Sequence, residues 1–196
     1  MSFATVEIAL PDWINAVLPD SNTIYPTVAD RMALVIDLAR KNVDTGAGGP
    51  FGAGIFDMQS GRLVAPGVNM VISGNCSVAH AEITAIMIAQ KIMATYDLGG
   101  EGLPPMELVS STEPCAMCLG AVVWSGVRRL VCGARGGDAR DIGFDEGPKP
   151  DNWVSALENR GIAVVRDVGR DDALAVLKHY TDRGGLVYNA RNAAKP

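Results

Sequence analysis

Two short segments of this chain hold the residue types from which metal-assisted chemistry is built. His80-Ala81-Glu82 opens one apolar, helix-like stretch, and Pro114-Cys115-Ala116-Met117-Cys118 opens another. One imidazole and two thiolates suit Zn²⁺, and three protein ligands leave the fourth tetrahedral position to water. Cysteines three apart at a helix start lie side by side, and the positive end of the helix favours the thiolate form that binds metal. Glu82, two residues past the imidazole, stands where a carboxylate can move protons beside the metal rather than ligate it. Taken singly, Cys115 and Cys118 also read as a redox pair, and His80 as a core histidine. Their conjunction, each at a helix start that follows a strand or hairpin, favours a catalytic metal. A structural zinc would want a fourth protein ligand. Cys76, four residues before His80, is the candidate for that place, whereas Cys132 lies mid-strand and reads as a buried apolar thiol.

The elements that position these groups follow from periodicity. Residues 1–26 carry Pro11, Pro19 and Pro26 around Trp13, Ile14 and Val17, and read as an irregular arm with one helical turn, packed on the domain by Trp13. Thr27-Val-Ala-Asp30 caps a helix with Met32, Val35, Ile36 and Ala39 on one face, ending near Gly46. Phe51–Phe56 and Leu63–Val71 flank Asp57-Met-Gln-Ser-Gly61 as a β-hairpin. Residues 79–96 read as a helix apolar nearly all round, hence buried. Strands are expected at 107–111, 129–133 and 162–165, and helices at 114–124, 153–158 and 171–180. Strands separated by helices pair in parallel, beside a sheet that begins as an antiparallel hairpin. The expected fold is a three-layer α/β/α sandwich with a mixed five-stranded sheet over residues 27–183, followed by a tail at 184–196 behind the hinge-like Gly184-Gly185.

The chain has 196 residues, 48% hydrophobic and 20% charged, with a formal net charge of −5. That length buries a core without disulfides. The acidic balance argues against a nucleic-acid partner, which gains affinity from Lys and Arg on phosphates, and points to a small substrate. No basic, apolar leader opens the chain and no apolar run approaches the length of a membrane span, so a reducing cytoplasm is expected.

His-x-Glu followed by Pro-Cys-x-x-Cys is the known signature of zinc nucleobase deaminases. With Gly49-Pro50-Phe51-Gly52, Asn69, Glu113, Leu119-Gly120-Ala121, Trp124 and Ile142-Gly143-Phe144-Asp145-Glu146, the stretch from about 27 to 190 resembles the cytidine deaminase-like superfamily, and within it the bacterial guanine deaminase branch. The resemblance implies one Zn²⁺ held by His80, Cys115 and Cys118, with His80 also bordering the substrate. It implies that Glu82 carries protons from water to the ring and that Asn69 hydrogen-bonds the base. Phe51 and Phe144 then form the slot, and a carboxylate at Glu146 or its neighbour Asp145 protonates the leaving amine. Tyr188 becomes a lid residue over its own site or that of a partner subunit in a homodimer. The implied reaction is guanine to xanthine plus ammonia, with aminotriazines such as ammeline as further substrates. A tRNA adenosine deaminase and a non-catalytic zinc-stabilised interaction domain are the competing readings. From the residues alone, Trp124 is expected in the core, Phe144 exposed in a glycine-flanked loop, and Glu113 ordering the loop before the cysteines or touching substrate.

Overall fold

Thr27 closes a capping box with Asp30, each side chain accepting from the other's backbone N–H, which starts the first long helix where the sequence places it. The structure is a computed structural model that describes residue 3, residues 5–18 and residues 23–189. In chain order the elements are α1 (Trp13–Val17), α2 (Val28–Asp44), β1 (Gly52–Asp57), β2 (Leu63–Val68), α3 (Ala81–Ile92), β3 (Met106–Thr112), α4 (Ala116–Ser125), β4 (Arg129–Ala134), α5 (Gly136–Asp141), α6 (Trp153–Glu158), β5 (Ala163–Val165) and α7 (Arg170–Asp182). The sheet has five strands in the order β2-β1-β3-β4-β5. β1 pairs antiparallel with both β2 and β3, and β3-β4-β5 run parallel. This is the mixed three-layer sandwich expected.

Helices cover both faces, and two glycines show why they sit so close. A Cβ on Gly52 of β1 would stand 2.9 Å from the Ala39 nitrogen of α2, and one on Gly67 of β2 would stand 2.7 Å from the Ala85 nitrogen of α3. Gly67 is paired with Ala53, the neighbour of Gly52, and successive residues of a strand face opposite sides. The two helices therefore lie on opposite faces. α7 joins α2, since Gly133 of β4 approaches Ala173, and α4 packs beside α3. The core between the layers is built from side chains such as Val35, Ile55, Phe56, Leu108 and Leu130. Below it, the buried Glu107 carboxylate accepts from Arg31 and Arg129 and ties α2 to β3 and β4.

Several expectations change. α3 spans only 81–92 and is not buried all round: Met87 and Ile92 are exposed, as is Tyr96 beyond its end. Trp124 does not pack in the core but is 85% exposed. It lies on the outward face of α4, and a nearly all-apolar helix does not reveal which side meets the sheet. The second hairpin strand ends at Val68, and the helix α5 was not anticipated in its glycine-rich sequence. In the arm it is Ile14 that is buried, with Trp13 packing half-exposed beside it. Residues 19–22 of the arm and 190–196 of the tail lie outside the described residues.

Candidate active site

His80 and Cys115 occupy the same position in two neighbouring helices, the N-cap, with extended backbone just before the first turn. Because α3 and α4 lie side by side, this brings their starts together. His80 Nδ1 lies 3.6 Å from each sulfur of Cys115 and Cys118. A tetrahedral zinc with Zn–N of about 2.0 Å and Zn–S of about 2.3 Å sets N···S at about 3.5 Å, so the residues present fit the ion. Among the described residues this is the one group of three such side chains close enough to share a metal. Cys76 is not part of it, which leaves the fourth position to a non-protein ligand. The Cys118 thiol and then the His80 ring hydrogen-bond Cys115 and lower its pKa to about 4, while the same contact, with burial, raises that of Cys118. One thiol of the pair thus ionises readily at the start of α4.

The cluster opens into a pocket of about 310 Å³, at the small end of ligand sites. Its walls include Phe51, Asn69, His80, Glu82, Thr112, Cys115, Phe144, Glu146 and Tyr188, so the residues expected at the site meet there except Cys118, which is fully buried and does not line it. Glu82, in the first turn of α3, is buried, and loss of hydration together with the nearby Cys115 sulfur raises its pKa. Asn69 is fully committed on one side: its Oδ1 accepts from the Gly49 and Val71 amides at 3.4 and 3.3 Å. Its Nδ2 is buried without a hydrogen-bond partner of normal geometry, beside Tyr188 at the pocket wall. A free amide that both donates and accepts becomes, in the fold, a donor only.

Phe144 is not exposed, contrary to expectation. Its ring packs edge-on against Phe51 at 5.0 Å and Tyr188 at 5.2 Å, and stacks on Tyr180 at 6.1 Å. Segments distant in sequence supply those rings, so local composition could not reveal the burial. The tail returns over the pocket of its own chain. Asn189 Oδ1 accepts from the Asp145 amide at 2.8 Å, its Nδ2 donates to the Gly143 carbonyl at 2.7 Å, and Tyr180 OH donates to the Leu186 carbonyl at 2.7 Å.

Both neighbouring carboxylate residues line the pocket, but only Glu146 is buried in it and unpaired. Asp145 is exposed and accepts from the Gly147 amide at 2.8 Å. Glu146 is buried, its Oε2 has no partner, and burial raises its pKa to about 7 against the opposing pull of Lys149. Two contacts pin its loop to the start of α4. The Glu146 carbonyl accepts from the Ala116 amide at 2.9 Å. Lys149 Nζ donates to the Pro114 carbonyl at 3.1 Å and to Glu113 at 3.3 Å. Glu113 also accepts from the Gly136 amide at 3.0 Å and pairs with Arg166. It orders the loop before the cysteines, one of its two expected roles. Lys149 was missed because nothing local marks it. Thr112 was missed although strand alternation places it on the face of the metal ligands.

Fold and ligand cluster together define a zinc-dependent deaminase. The chain belongs to the cytidine and deoxycytidylate deaminase family, whose zinc-binding region matches residues 27–134. It is 40% identical over 111 residues to the guanine deaminase of Bacillus subtilis, covering 57% of this chain and 67% of that one. The structure of a guanine deaminase from Nitrosomonas europaea superposes with a TM-score of 0.85 at 46% identity, over 91% of this chain and 98% of that one. That of a protein called NE0047, bound to 2,6-diaminopurine, does so with a TM-score of 0.87 at 48% identity, over 95% and 98%.

Proposed function

We propose that this chain is a guanine deaminase, converting guanine and water to xanthine and ammonia. The observation that carries the reading is the small pocket in which two buried carboxylates lie beside a three-ligand cluster that fits zinc, together with the likeness to guanine deaminases along nearly the whole chain. His80, Cys115 and Cys118 would hold the zinc, which when bound would lower the pKa of water to about 7. Glu82 takes a proton from the attacking water and passes it to ring N3, which makes C2 electrophilic. Glu146, protonated up to about pH 7, gives a proton to the exocyclic amine so that it leaves as ammonia. Asn69 donates to an acceptor on the base, while Phe51 and Phe144 border its slot.

Residues 184–196 serve as a lid on the domain of residues 27–183, with Tyr188 closing over the base, and residues 1–26 as an arm. α3 and α4 leave Met87, Ile92, Met117 and Trp124 exposed; we place a homodimer interface on that apolar face. Among the described residues no helix is long and apolar enough to cross a membrane, and the free thiols of the site suit a reducing cytoplasm. The net charge of −5 and the covering tail disfavour a tRNA substrate, and the buried Glu82 disfavours a purely structural zinc.

An ammonia-release screen over guanine, guanosine, cytosine, adenine and ammeline tests the substrate. Guanine is expected to lead, with ammeline as a weaker substrate; guanosine or cytosine outrunning guanine overturns the assignment.

A further inference from the structure

Six buried side-chain polar atoms among the described residues have no hydrogen-bond partner. Trp13 Nε1 and Asn42 Oδ1 lie away from the pocket, and Asn69 Nδ2, Thr112 Oγ1, Glu146 Oε2 and Tyr188 OH belong to residues that line it. Three of those four already have roles above. Thr112 has none. Resting on the guanine reading, we propose that Thr112 is a further substrate-binding residue, whose hydroxyl hydrogen-bonds a ring nitrogen of the base and helps decide which heterocycle is accepted.

The scaffold uses three other buried hydroxyls for its own hydrogen bonds and does not use this one. Ser111 Oγ accepts from the Gly52 amide at 3.1 Å, Thr84 Oγ1 donates to the Ala81 carbonyl at 2.9 Å, and Ser125 Oγ donates to the Val122 carbonyl at 2.9 Å. Thr112 is only 4% exposed, so bulk water does not satisfy it. It is the last residue of β3, at the carboxyl edge of the parallel strands, where open α/β sheets take their ligands. Its backbone is held by pairing with Ala134, and its β-branched side chain has few rotamers, so the hydroxyl is oriented before any ligand arrives. Alternation puts it on the face of Ser110, opposite Ala53 and Gly67, which is the face of α3 and the metal ligands. A hydroxyl both donates and accepts, so it can meet a ring N–H or a ring lone pair. A ring with C–H there leaves it unpaired, and sites built around such a bond reject the analogue strongly.

Thr112→Val keeps the shape and removes the hydroxyl; Thr112→Ser keeps the hydroxyl and removes the methyl. Four measurements are made on zinc-loaded protein: kcat/KM for guanine, calorimetric Kd for xanthine (a product that does not turn over), zinc content and Tm. The valine variant is expected to lose about 10- to 100-fold in kcat/KM and in xanthine affinity, with zinc content and Tm unchanged. The serine variant should stay within about threefold of wild type. A valine variant equal to wild type, a serine variant as impaired as valine, or a drop in zinc content or Tm each overturns the proposal. Wild-type protein inactive on guanine sinks the guanine reading instead, and the same pair of variants is then compared on the base that the wild type does turn over.

Discussion

Glu82 and Glu146 are the same chemical group in the same pocket, each raised in pKa by burial, yet the molecule holds them by different means. Glu82 lies in the first turn of α3, two residues from the ligand His80, so helix geometry alone sets it beside the metal. Glu146 sits in an irregular loop and reaches the pocket because Ala116 and Lys149 anchor that loop to the start of α4. The carboxylate proposed to meet the water is held by secondary structure, and the one proposed to meet the leaving amine by a tertiary clamp. Proton transfer near the metal tolerates little displacement.

The comparison breaks first at Glu82. Glu82→Gln is expected to lower kcat by about 10⁴-fold or more with zinc content unchanged; kinetics together with metal analysis check both halves. Glu146→Gln should cost less, about 10²- to 10³-fold. In wild type, kcat should fall about tenfold per pH unit above pH 7, as the Glu146 proton is lost, and the variant should lack that limb. A full pH profile decides it, and an unchanged limb removes Glu146 as the acid.

Lys149→Met tests the clamp itself. About a tenfold loss in kcat with KM nearly unchanged is expected, whereas an equal loss through KM alone would place Lys149 in substrate binding. The smallest effect concerns stability. The Glu146 pKa of about 7 lies above its ordinary 4.5, so the native protein keeps a proton that the unfolded chain gives up between those values. Stability therefore falls as pH rises through that window, by at most about 3 kcal/mol. Denaturant titrations at pH 5 and pH 8 should show a smaller difference for Glu146→Gln than for wild type.

The same division governs what was legible in the sequence. The succession of strands and most of the helices were readable because hydrophobic period and caps are local: Thr27 with Asp30 started α2 where expected. Boundaries slipped where composition is uniform, as at the end of α3, and α5 was missed because Gly136-Gly137 are poor helix formers that only the Asp138 cap and surrounding packing hold. Trp124 went wrong for a related reason. An all-apolar helix carries no stripe to say which side faces the sheet, and the fold turned that ring outward.

Sequence alone determined the metal centre, since His80, Cys115 and Cys118 lie at two helix starts and Glu82 follows at fixed helical spacing. Only the tertiary structure decided that Glu146 is buried and unpaired at the pocket while Asp145 is exposed, and that the Asn69 oxygen is taken up by backbone amides. It also buried Phe144 among rings from three other segments and left Thr112 unpaired at the end of β3. Short-range backbone geometry carries the first set. The second depends on which distant segments supply hydrogen-bond partners and which withhold them, and that is settled only when the layers pack.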